Sequence, residues 1–109
     1  MHIIADFWGM SHLPDSSSEI ESLLIEAAKT AKANILKTAL YKFDPQGVTG
    51  VILLSESHIS IHTWPETGYA SIDAYTCGDH TDPMAAVNYL KKSLKPLVVQ
   101  MTKIKRGQL

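Results

Sequence analysis

Apolar positions along the chain alternate between two periods, one suited to strands and one to helices. His2 to Trp8 is short and mostly apolar, and reads as a first strand. Asp15-Ser16-Ser17-Ser18 then supplies capping side chains, and Ser18-x-x-Glu21 fits a capping box. Behind it Ile20, Leu23, Leu24, Ala27, Ala28 and Ala31 form the stripe of an amphipathic helix, leaving Glu19, Glu26, Lys29 and Lys32 for water. Ile35 to Phe43 has strand-like spacing and stops at Asp44-Pro45-Gln46-Gly47, where Pro second and Gly fourth suit a type I turn.

Val48 to Ser55 predicts another strand, apolar enough in its middle for burial on both faces. In His58-Ile59-Ser60-Ile61-His62 both His and the Ser share one face and the two Ile the other. Pro65 and Gly68 interrupt. From Tyr69 the alternation resumes, with Tyr69, Ser71, Asp73, Tyr75 and Cys77 on one side and Ala70, Ile72, Ala74 and Thr76 on the other. Asp82-Pro83 opens a second helix with the stripe Met84, Val87, Leu90 and Leu94; Pro96 ends it, and Leu97 to Ile104 is a last strand. This order predicts the α+β class, a two-layer sandwich with two helices on one face of a mostly antiparallel sheet. The uncovered sheet face calls for a partner, so the fold is expected to dimerise.

Composition narrows this picture. The chain has 109 residues, 45% of them hydrophobic, which suits one domain spanning 1–109 and argues against disorder. Ten basic against eleven acidic side chains leave a net charge of −1, so a general polyanion binder is excluded. Lys91, Lys92, Lys95, Lys103, Lys105 and Arg106 make the last third basic, read as a solvated helix face and tail with no nucleic-acid partner. The longest aliphatic run, Val51 to Leu54, is far too short for a membrane span. The segment Met1 to Asp6 lacks the features of a secretion signal, so a cytoplasmic location is expected. Cys77 is the only cysteine, which excludes an internal disulfide and leaves a thiol for chemistry.

Three features carry candidate chemistry. Ser55-Glu56-Ser57-His58 follows a buried strand; composition alone favours a solvated bend, the sharper reading being a hydroxyl placed to attack its own preceding carbonyl. His58, His62, Cys77 and His80 offer metal-type ligands, but His58 and His62 lie roughly 13 Å apart on a strand, so no metal is expected. The aromatics Tyr41, Phe43, Trp64, Tyr69 and Tyr75 are ordinary packing residues or a stacking platform for a planar or cationic ligand.

Residues 55 to 78, Ser-Glu-Ser-His-Ile-Ser-Ile-His-Thr-Trp-Pro-Glu-Thr-Gly-Tyr-Ala-Ser-Ile-Asp-Ala-Tyr-Thr-Cys-Gly, resemble the signature of the prokaryotic S-adenosylmethionine decarboxylase proenzymes. The likeness runs back through Phe43 to Gly50 and forward to Asp82-Pro83. It implies self-cleavage between Glu56 and Ser57, giving chains 1–56 and 57–109. The Ser57 hydroxyl would attack the Glu56 carbonyl to form an ester, and β-elimination would leave a self-generated pyruvoyl group. That group takes the place of an external cofactor, forming a Schiff base with the substrate amine while carbon dioxide leaves. The product would be the aminopropyl donor for spermidine synthesis.

The same resemblance assigns roles. His62 matches the processing base that takes the Ser57 α-proton, and Cys77 the acid that reprotonates the substrate carbon. Thr49 stands where relatives often carry a Ser that supports processing, keeping the hydroxyl with one extra methyl. Phe43 and Trp64 match the aromatics that sandwich adenine, and Glu66 is a candidate for the ribose hydroxyls. The segment Ala5 to Met10 departs from the more acidic pattern of the family.

Strand geometry adds an expectation of its own. Ser57 and His62 lie five residues apart, roughly 16 Å on a straight strand and on opposite faces. A hairpin turning at Pro65 to Gly68 would lay Cys77 opposite Ser55 and bring Tyr75 near Ser57. Ser57 and Cys77 would then share a site within one chain, with His62 and Thr49 arriving from a second copy of a two-fold homodimer. Two other readings compete. Related enzymes decarboxylate arginine or ornithine, which have no adenine for Phe43 and Trp64; a non-catalytic activating paralogue should have lost Ser57, His62 or Cys77, and none is lost.

Overall fold

In the computed structural model, which describes residues 1–107, the predicted periods become one six-stranded sheet and two helices. The elements are β1 (His2–Trp8), α1 (Ser17–Thr30), β2 (Ile35–Lys42), β3 (Val48–Leu54), β4 (Ser57–Trp64), a 3-10 turn (Pro65–Thr67), β5 (Tyr69–Thr76), α2 (Pro83–Leu94) and β6 (Val98–Ile104). The sheet order is β2-β3-β4-β5-β1-β6, and every neighbouring pair is antiparallel. The molecule is an α+β sandwich of two layers.

The core lies between the helices and one face of the sheet. Ile20, Leu24, Ala27 and Ala28 of α1 and Ala86, Val87 and Leu90 of α2 are fully buried against Ile3, Phe7, Ile52, Ile59, Ile61, Ala70 and Ala74. Gly50 lets β3 approach α1: a Cβ there would lie 2.5 Å from Leu40 Cδ1 and 2.9 Å from Leu24 Cδ1. The opposite face carries His58, His62 and Trp64 from β4 and Tyr69, Asp73 and Tyr75 from β5. It also exposes Ile4, Trp8 and Leu53 by 40–45%, an apolar surface that neither α1 nor α2 covers.

Four expectations are corrected. The cap of α1 is Ser16, whose Oγ accepts the Glu19 N–H at 3.1 Å; Ser16 and Glu19 have the same spacing two residues earlier. Glu21, free of capping duty, accepts the Thr38 hydroxyl at 2.7 Å. The bend after β2 is not a type I turn closed on Asp44: the Gly47 N–H goes to Asp15 at 2.8 Å, and Phe43 N–H closes the loop on the Gly47 carbonyl at 2.8 Å. β3 is buried on one side only, because its other side belongs to the uncovered face. The fourth concerns the β4–β5 register: Ser57 lies opposite Thr76 and His58 opposite Tyr75. The 3-10 turn and Gly68 place four residues between Trp64 and Tyr69, which moves every partner one position from the expected pairing.

Candidate active site

A two-residue turn, Ser55-Glu56, joins β3 to β4 where Leu54 pairs with Ser57. It is pinned from outside the hairpin. Ser55 N–H donates to the Asn34 carbonyl at 3.0 Å. The Glu56 carboxylate accepts the Asn34 N–H at 3.0 Å on one oxygen and His80 Nε2–H at 2.8 Å on the other. With its side chain only 10% exposed, Glu56 is held as an anion. The Asn34 N–H and, after it, the His80 ring keep its carboxyl below the usual carboxylate range.

The next residue has an unfavourable backbone angle. Ser57 has φ +148°, a region that a residue with a Cβ occupies only at a cost of order 1–3 kcal/mol. The Glu56 carbonyl oxygen accepts two donors from one residue, the Cys77 N–H at 3.1 Å and the Cys77 thiol at 3.0 Å. Paired donors on one carbonyl oxygen are the arrangement that stabilises a developing oxyanion. Ser57 Oγ lies 3.3 Å from His58 Nδ1. Cys77 was expected opposite Ser55; the shifted register sets it against Glu56, nearer the peptide that matters.

A second cluster stands at the far end of β4. Phe43, Thr49, His62, Trp64 and Glu66 line one cavity of about 440 Å³ together with Gln46, Gly47 and Thr63. Thr49 lies across from His62 in the β3–β4 ladder, with Thr49 Oγ1 2.9 Å from His62 Nδ1. Phe43 and Trp64 remain 46% and 42% exposed, so their ring faces are open to a ligand. Trp64 is the end of a stack: its ring lies 5.0 Å from Tyr69, and Tyr69 lies 4.2 Å from Trp8. Tyr69 donates its hydroxyl to Asp6 at 2.6 Å, and that carboxylate, with partial burial, raises the phenol's pKa.

The sequence-predicted residues therefore fall into two groups. Glu56, Ser57 and Cys77 meet at one end of β4; Phe43, Thr49, His62, Trp64 and Glu66 meet at the other. Five residues of strand, roughly 16 Å, separate Ser57 from His62. Sequence reasoning missed Asn34, Asp6 and the clamping role of His80. Asn34 acts through its backbone and His80 across 24 residues of chain, so neither contact leaves a local pattern. A separate groove of about 420 Å³ between α1 and α2, lined by Glu19, Glu26, Tyr89 and Ser93 among others, holds none of the motif residues.

Fold and site together define a class: an α+β two-layer sandwich built around a Glu56–Ser57 junction with a strained Ser57 φ and two donors on the Glu56 carbonyl oxygen. The family model described as S-adenosylmethionine decarboxylase matches residues 1–107, and the chain belongs to that family. A relative from Caldanaerobacter subterraneus subsp. tengcongensis, named S-adenosylmethionine decarboxylase proenzyme, is 46% identical over 107 residues, 97% of this chain and 86% of the relative. Another of the same name, from Methanococcus maripaludis, is 49% identical over 107 residues, 97% and 88% of the two chains. The crystal structure of the adenosylmethionine decarboxylase from Aquifex aeolicus VF5 superposes with a TM-score of 0.86 at 38% identity, covering 99% of this chain and 94% of that one. Among the described residues no helix is long and apolar enough to cross a membrane.

Proposed function

We propose that the chain decarboxylates S-adenosylmethionine with a pyruvoyl group made from its own Ser57. What supports this most directly is the Glu56 carbonyl oxygen, which accepts two Cys77 donors while the adjoining Ser57 carries a strained φ. Attack of Ser57 Oγ on that carbonyl relieves the strain and moves charge onto an oxygen already supplied with donors. Cleavage yields 1–56 and 57–109. The pyruvoyl ketone supplies the electron sink that lets the substrate carboxylate leave as carbon dioxide. The proenzyme names of the relatives agree with self-processing, and their substrate name with the open rings of Phe43 and Trp64. Neither arginine nor ornithine carries an adenine for those rings to sandwich.

In this reading Phe43 and Trp64 sandwich the adenine, and Glu66 accepts the ribose hydroxyls. His62, oriented by Thr49, takes the Ser57 α-proton during elimination, and Cys77 protonates the substrate carbon after decarboxylation. Two groups so far apart on one strand need two chains. A two-fold axis through the uncovered sheet face near Ser60 would lay residue 57 of one copy over residues 62–64 of the other. The homodimer then has two composite sites, and its interface buries Ile4, Trp8 and Leu53.

Denaturing mass measurement tests the core of this: two fragments are expected, split at 56/57, the second blocked to amino-terminal sequencing. Carbon dioxide release from S-adenosylmethionine, arginine and ornithine decides the substrate. Mixing His62→Ala and Ser57→Ala proenzymes tests the composite site, since each mixed dimer holds one complete set. A single chain that stays intact, or mixtures that never complement, would overturn the corresponding part.

A further inference from the structure

We propose that His58 is the base that starts self-cleavage, acting on the Ser57 of its own chain, while His62 of a second copy completes it. This rests on the reading that Glu56–Ser57 is the bond that rearranges. His58 Nδ1 lies 3.3 Å from Ser57 Oγ, the looser spacing usual before a reactive complex tightens. Among the described residues that hydroxyl is the His58 ring's one hydrogen-bond partner.

The other proton carriers near the turn are committed elsewhere. The Cys77 thiol is on the Glu56 carbonyl and the His80 ring on the Glu56 carboxylate. His62 is on Thr49, a strand's length away. Around His58, His2 faces Asp73 and Arg106, and Arg106 also lies 4.7 Å over the Tyr75 ring. Tyr75 and His2 meet the His58 ring in edge geometry, with centroids 6.0 and 6.4 Å away. They fix the ring plane without taking its nitrogen.

With the ring proton on Nε2, Nδ1 takes the Ser57 hydroxyl proton as Oγ bonds to the Glu56 carbonyl carbon. The carbonyl electron pair moves to its oxygen, between the two Cys77 donors. The imidazolium then gives the proton to the Ser57 nitrogen as the C–N bond breaks. An amide and an alcohol have become an ester and an amine, and His58 is unchanged. Elimination is a separate step on a different proton, which explains why a second imidazole is present at all.

Hydroxylamine separates the two steps, because it cuts an ester and leaves an amide. Wild-type chain is expected to split unaided, and His62→Ala to split only when hydroxylamine is added. His58→Gln should stay whole under both conditions, its cleavage slowed by about 100-fold or more. Free imidazole should restore ester formation in His58→Ala, a response that misfolding would not give; circular dichroism identifies the folded fraction compared. Ser57→Ala should rescue His62→Ala in mixed dimers but not His58→Ala. Wild-type ester formation in His58→Gln, indifference of folded His58→Ala to imidazole, or its rescue in trans would each overturn this inference alone. A wild-type chain that never splits would overturn the parent reading with it.

Discussion

Cys77 places both its backbone N–H and its thiol on the Glu56 carbonyl oxygen, at 3.1 and 3.0 Å. In the proposed function this one residue has two tasks, cradling an oxyanion during self-cleavage and later delivering a proton to substrate. The tasks separate by substitution. Cys77→Ala keeps the N–H and loses the side-chain donor, so fragment formation should slow by on the order of 100-fold. Cys77→Ser retains a donor and should cleave at a rate much closer to wild type. Its hydroxyl is a far weaker acid than a thiol, so decarboxylation should remain depressed. Fragment appearance by mass spectrometry and carbon dioxide release from the processed protein read the two tasks independently.

The Thr49–His62 contact at 2.9 Å holds the direction of the imidazole through its Nδ1. Thr49→Val removes the hydroxyl at almost constant volume and should slow elimination by about 10- to 100-fold, the penalty of a misplaced catalytic group. Thr49→Ser should process at or above the wild-type rate. The exposed location of His62 leaves stability within about 0.5 kcal/mol. A Thr49→Val chain that processes normally would show that His62 needs no such support.

The Glu56 clamp has a definite dependence on pH. Its carboxyl lies below the ordinary value of 4.5, first through the Asn34 N–H and then through His80. A lowered folded-state pKa stabilises fully above the unfolded value and is lost as pH falls through the folded one. The contribution should therefore be constant from neutrality down to about pH 5 and decline in stronger acid. Glu56→Gln, placed in an uncleavable Ser57→Ala background, should be less stable at pH 7, with the difference narrowing in acid. Denaturant melts of the two proteins across pH check the sign.

Gly50 is a packing requirement rather than a hinge. The Cβ of Gly50→Ala would meet Leu40 Cδ1 at 2.5 Å and Leu24 Cδ1 at 2.9 Å. Leu40 is half-buried and has room to turn, whereas Leu24 is fixed in the core between α1 and the sheet. Destabilisation by about 1–3 kcal/mol is expected, visible as a lowered thermal midpoint with unchanged cleavage chemistry.

The fold was legible because two periods do most of the specification. The stripe from Ile20 to Ala31 and the strict alternation from Tyr69 to Thr76 each have one buried solution. Turns were read less well. Gly47 gives its N–H to Asp15, a partner 32 residues away, and no local rule anticipates that. The β4–β5 register slipped by one because hairpin register depends on turn length, and the 3-10 geometry of Pro65–Thr67 is not written in its composition. The motif residues were recognisable through resemblance, but their division into two groups is a property of β4 itself. Strand rise carries Ser57 away from His62 whatever the motif says. Asn34 escaped notice since it contributes only its backbone, the N–H to Glu56 and the carbonyl to Ser55.

Under the proposed function, Trp64 ties that division to substrate binding. Its ring is backed by Tyr69 and then Trp8, and Asp6 holds Tyr69 by its hydroxyl, so one face is supported and the other left open. Loss of the ring removes stacking worth about 0.5–1.5 kcal/mol beyond its apolar area. Trp64→Ala should raise the KM for S-adenosylmethionine by about 10-fold or more, with self-cleavage little changed, because Trp64 contacts none of Glu56, Ser57 and Cys77 in its own chain. Tyr69→Phe should produce a smaller rise, since the stack survives and only its tether to Asp6 is cut. Ornithine turnover, which brings no planar group to the ring, should not respond to either change. A mixed dimer of Trp64→Ala with Ser57→Ala then locates the ring: if the adenine platform comes from the opposite copy, the one site that forms in such dimers has an intact Trp64 and binds substrate normally. A raised KM in those dimers would place Trp64 and Ser57 in the same chain's site, and the strand between them would have to bend to allow it.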